Sequence, residues 1–111
     1  MLASVRFHCR FALEHLDVDE CPLGVRQLAL LRALEIVGQS IKDFLRDHVR
    51  AEVKESLERA DSKYLSDWAK FRDKLAKGYL GLDMESIWED VHRDVPQLLA
   101  RLDWLASLAD S

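Results

Sequence analysis

The chain has 111 residues, enough for one domain with its own core and too few for two. Hydrophobic residues make up 49 % and charged residues 32 %, which excludes an intrinsically disordered chain. The net charge of −4 excludes a global basic field, so any contact with nucleic acid has to come from a local patch. Four glycines and two prolines are too few for a turn-rich β protein, whereas Leu, Ala, Glu, Lys and Arg dominate. The predicted class is all-α, a single domain over residues 1–111.

The elements are best taken in chain order. Ser4 to Leu16 carries Val5, Cys9, Ala12, Leu13 and Leu16 at helical spacing. It has no signal-peptide core, and no stretch of the chain reaches the roughly 20 apolar residues of a membrane span. A cytoplasmic location with no membrane contact is the expectation. Cys9 and Cys21 are then expected to be reduced thiols. Asp17 to Leu23 contains Pro22 ahead of Gly24 and reads as a connection.

The second helix is the clearest. Leu30, Leu34, Val37, Ile41 and Phe44 recur at steps of four and three, with Leu31 and Leu45 widening the stripe. Gly38 inside it costs about 1 kcal/mol relative to alanine, which suggests that another helix approaches closely there. From Arg46 to Ala60 only Val49, Val53 and Leu57 are apolar at helical spacing, and this run either prolongs the second helix or forms an exposed one. Asp61 or Ser62 is the expected N-cap of the next helix. Its stripe is Tyr64, Trp68, Phe71 and Leu75, and Gly78 closes it. Asp83 is the expected cap of the last helix, whose inward face begins with Ile87, Trp88 and Val91. Pro96 is expected to kink or restart that helix, with Asp94 as a new cap. Leu98, Leu99, Leu102, Leu105 and Leu108 carry the stripe onward. Together these segments predict an up-and-down bundle of four to five helices.

No metal centre is predicted, because His8, His15, His48 and His92 lack ligand partners at short spacing. No cofactor motif is present either. The chemistry-bearing segment starts at Trp68, which is followed by Arg72-Asp73, then Lys77-Gly78-Tyr79, Asp83, Ile87-Trp88 and Asp94-Val95-Pro96. Upstream, Arg32, Leu34, Glu35 and Gly38 form an Arg-x-Leu-Glu-x-x-Gly element.

This order resembles the HepT-like branch of the HEPN superfamily over roughly residues 26 to 105. The resemblance implies a homodimeric, HEPN-like helical bundle. It also implies a metal-independent endoribonuclease that serves as toxin to a nucleotidyltransferase (MntA-type) antitoxin, with RNA as substrate. The family's catalytic signature is Arg, four to six residues, then His. Carried onto this chain, Arg72 matches the Arg, Lys77 stands where the His belongs, and Asp73 stands where Asn is usual. Tyr79 matches the tyrosine that the antitoxin modifies with AMP in some systems, although a packed aromatic is the plainer reading. Glu35 is a candidate supporting residue beside Asp73, either as a buried partner of Arg72 or at a wet edge of the bundle.

The substitution at position 77 matters chemically. RNA cleavage without metal needs one group to take the 2′-OH proton and one to protonate the leaving oxygen. Histidine serves near neutral pH, whereas lysine, with an ordinary pKa near 10.4, is a poor base. Residues five apart on a helix also point about 140° apart, which suits a site composed from two chains. Activity is thus expected to be weakened or lost. The resemblance also allows a non-catalytic HEPN module that binds nucleotide or partners a nucleotidyltransferase. A purely structural helical dimer is the remaining reading.

Overall fold

The computed structural model describes residues 2–15, 23–76 and 84–110. Its elements are α1 (Ala3–His15), α2 (Leu23–His48), α3 (Ala51–Ser56), α4 (Arg59–Ala76) and α5 (Met84–Ser107), and a 3₁₀ turn (Leu108–Asp110) follows. All regular structure among the described residues is helical, as the composition predicts. No helix among them is long and apolar enough to cross a membrane.

Three backbone packings organise the bundle: α2 against α4, α1 against α2, and α1 against α5. α2 is the spine. Its 26 residues, rising about 1.5 Å each, run most of the 46 Å long axis. The stripe from Leu30 to Phe44 is buried throughout, and it meets Val5, Cys9 and Ala12 from α1 and Leu65 and Trp68 from α4. α5 contributes Ile87, Val91, Val95, Leu98, Leu102 and Leu105, at steps of four and three that keep one face inward. Trp68 is buried in this core, and Trp88 and Trp104 pack at its edge.

Burial pushes the Cys9 thiol up to about 12. The unfolded thiol ionises near 8.5, so the unfolded state binds fewer protons above that pH. This contribution to stability is therefore present below about pH 8.5 and is lost progressively as pH rises toward 12. At pH 8 native Cys9 is expected to resist iodoacetamide until the protein is unfolded. Peptide mapping after alkylation checks this, and labelling of Cys9 at the rate of a free thiol would contradict the burial.

One expectation left open is decided and two are corrected. Of the two courses open to the run from Arg46 to Ala60, an exposed helix is the one found. α2 stops at His48, the extended backbone of Arg50 breaks the chain, and α3 follows as a short helix with no buried residue. Val49 turns into the core at that break. α4 begins at Arg59 rather than after an Asp61 or Ser62 cap, and the Glu58 carbonyl accepts from the Ser62 N–H. Asp61 does something else: its carboxylate accepts from Arg101 at 2.6 Å. Of the kink or restart expected at Pro96, the restart does not occur, and α5 runs through the proline as one helix. Pro96 and His92 both lie on the exposed face, so water can satisfy the carbonyl that the proline leaves without a donor. Asp94 pairs with Arg93 instead of capping. The expected caps at Gly78 and Asp83 lie outside the described residues, as does the connection expected over Asp17 to Leu23, save Leu23, which already belongs to α2.

Candidate functional site

Arg72 sits where α4 comes closest to α2. A Cβ built on Gly38 would lie 2.4 Å from the Arg72 Cβ, 3.0 Å from the Trp68 carbonyl oxygen and 3.3 Å from the Arg72 Cα. Only a glycine leaves room for that approach. The small residue expected to admit another helix therefore does so, and the helix it admits is the one that carries Arg72.

The guanidinium donates through Nη1 to Asp73 Oδ1 at 3.3 Å, while its Nε is buried and has no hydrogen-bond partner. The same Asp73 oxygen accepts from Lys42 Nζ at 3.5 Å. Lys42 is four residues beyond Gly38 on α2, so the two helices bring two cations to one carboxylate. Desolvation pushes the Asp73 carboxyl up, but the charges and hydrogen bonds of Lys42 and Arg72 outweigh it and hold the group below the ordinary aspartate range. Asp73 and Lys42 are nearly half exposed and Arg72 less so. These pairs add little to stability but fix a local positive bias in an acidic chain.

The other expected residues distribute as follows. Glu35 is largely buried one turn before Gly38 and pairs with Arg32 of its own helix at 3.4 Å. Lys77 and Tyr79 lie outside the described residues. Asp67 is engaged by Lys63, and Asp61 by Arg101. The Arg101 guanidinium also lies 4.3 Å from the Tyr64 and Trp104 ring centres. Among the described residues no group of His, Cys, Asp or Glu is arranged to hold a metal ion.

The sequence reading missed two features. Lys42 carries no motif, and its only signal is the four-residue step from Gly38. A groove of about 270 Å³ is lined by Tyr64, Trp68 and Phe71 of α4, Val91 and Asp94 of α5, and Leu34 of α2. Its lining takes in Leu34, Trp68 and Asp94 from the motif segments but none of the candidate site residues Glu35, Arg72 and Asp73.

Comparison with known proteins gives these features a context. A family model described as ribonuclease HepT-like matches residues 13–104. A protein of Thermococcus cleftensis named "Probable ribonuclease HepT" is 34 % identical over 83 residues, 71 % of this chain and 64 % of that protein. A candidate RNase of Caldanaerobacter subterraneus is 29 % identical over 103 residues, covering 87 % of this chain and 83 % of the relative. A Methanocaldococcus jannaschii protein named as both a gamma-glutamylcyclotransferase and a candidate RNase is 33 % identical over 72 residues. That match takes in 65 % of this chain and only 29 % of the larger protein. The chain thus spans less than two thirds of the Thermococcus relative's length. No solved structure matches it significantly.

Proposed function

The chain belongs to the HepT-like ribonuclease family, and from that premise we propose that it is an RNA-directed toxin subunit whose site is built around Arg72. The observation that carries the reading is the fixed place of Arg72, seated against Gly38 with Lys42 and Asp73 around its guanidinium. A cation held this way suits a phosphodiester, which it can bind and whose developing charge it can stabilise. In the proposed reaction Arg72 holds the scissile phosphate. Lys77, protonated at neutral pH, adds charge stabilisation and can donate a proton to the leaving oxygen, but it is a poor acceptor for the 2′-OH proton. The expected outcome is slow cleavage.

Two partners complete the proposal. A second copy of the chain supplies the other half of a composite site, and the exposed Phe7, Val25 and Leu28 leave apolar surface for association. A nucleotidyltransferase of the MntA type restrains the toxin by transferring AMP to Tyr79. The replacement of the motif histidine by Lys77 supports a second reading, in which the same site binds nucleic acid or nucleotide without cleaving it.

Both readings place RNA at the α2–α4 contact. Titrating ¹⁵N-labelled protein with a single-stranded RNA 12-mer is expected to move the amide signals of residues 38–42 and 69–73. Shifts confined to α1 and to the C-terminal half of α5 would contradict this placement.

A further inference from the structure

The contact between α2 and α4 holds more than a motif arginine. Lys42 Nζ and Arg72 Nη1 approach the same oxygen of Asp73, from two helices whose separation is set at Gly38. Their distances of 3.5 and 3.3 Å are longer than the roughly 2.7–2.9 Å of a strong charge-assisted hydrogen bond. The contacts are also partly open to water, so the carboxylate is a replaceable partner. Two cations face one anion, which leaves the cluster with a net positive charge. The Arg72 side chain is 30 % exposed, so the guanidinium can meet a ligand, although its Nε is buried.

We propose that Lys42 and Arg72 form a two-cation phosphate subsite across the α2–α4 contact, and that Asp73 is its internal counter-ion, displaced when a phosphodiester binds. The assignment of that phosphate to RNA rests on the ribonuclease reading. Lys42 is then a binding residue contributed by α2, and Asp73 weakens binding by competing for both cations. A phosphate oxygen takes the place of the carboxylate, and the released Asp73 turns to water.

The test compares wild type, Lys42→Gln and Asp73→Asn. Fluorescence anisotropy with a labelled single-stranded RNA 12-mer is measured across a sodium chloride series, and thermal melts confirm folding. Asp73→Asn is expected to tighten RNA binding about two- to fivefold, the equivalent of removing one exposed competing ion pair. Lys42→Gln is expected to weaken binding and to reduce the slope of log K against log salt by about 0.7, the loss of one phosphate contact to a single strand. Asp73→Asn that binds no tighter, or Lys42→Gln with wild-type affinity and slope, would overturn the subsite.

Calorimetric titration with inorganic pyrophosphate separates the two layers of the inference. If none of the three proteins binds RNA but pyrophosphate binding shows the same dependence on both variants, the RNA reading falls and the anion site stands. If pyrophosphate binding is absent or indifferent to both substitutions as well, the site itself is overturned.

Discussion

Replacing Gly38 with alanine is expected to destabilise the protein, reversing the sign that a glycine-to-alanine change has in an ordinary helix. In an open helix interior the alanine would gain about 1 kcal/mol from lower unfolded-state entropy and better propensity. Here the added methyl would stand 2.4 Å from the Arg72 Cβ and 3.0 Å from the Trp68 carbonyl, neither of which is the free end of a flexible side chain. α4 must therefore shift on α2, and overpacking of this kind costs about 1–3 kcal/mol. Set against that gain, the net loss is up to about 2 kcal/mol, read as a fall in melting temperature of about 4 °C per kcal/mol. Valine and leucine should lower it further in that order. RNA binding should weaken with the same substitutions, because the shift moves Arg72 away from Lys42. A melting temperature that rises in Gly38→Ala would show that the helices do not meet at this point.

Lys77→His is expected to raise RNA cleavage by about 10² to 10⁴, the usual contribution of a positioned general acid or base. The physical reason is the ionisation range. At pH 7 histidine exchanges a proton readily, whereas an ordinary lysine stays charged. The gain should follow a bell-shaped dependence on pH centred near neutrality, while the wild-type rate should stay low across the same range. Binding of RNA should weaken modestly at neutral pH, where histidine carries less positive charge than lysine, while Arg72 still holds the phosphate. Measurement of initial rates on single-stranded RNA between pH 5 and 9, with chelator present, checks both statements. A Lys77→His protein that binds RNA and still does not cleave it would favour the non-catalytic reading.

Much of this architecture was legible from periodicity because one face of each long helix is buried. Val5, Cys9 and Ala12, the α2 stripe from Leu30 to Phe44, and Ile87, Val91, Leu98, Leu102, Leu105 and Leu108 lie in the core as their spacing predicts, with Leu45, Trp88 and Leu99 at its edge. Gly38 was readable for a related reason: glycine in the middle of a strong helical pattern is unfavourable unless packing requires it. The ends of the helices were less legible. Asp61 and Asp94 have the side chains of N-caps, but tertiary or neighbouring arginines engage them, and Pro96 is tolerated because it lies on the exposed face of α5. α3 has no buried residue, so only the sparse spacing of Val49, Val53 and Leu57 announces it and its ends stay unmarked.

The candidate site divides along the same line. Arg72 was visible through the family pattern, and Asp73 through its position next to it. Lys42 was not, because it joins them only through a helix crossing that brings together residues 31 positions apart. No linear motif encodes that meeting. Its geometry follows from Gly38 and from the side chains that decide how closely α2 and α4 pack.

The most direct measurement of the central claim is cleavage of single-stranded RNA in chelator by Lys77→His beside the double variant Lys77→His/Arg72→Ala. The account predicts that the first protein cleaves and that loss of Arg72 returns the rate to background with the fold intact. Equal cleavage by both would contradict a ribonuclease site built on Arg72.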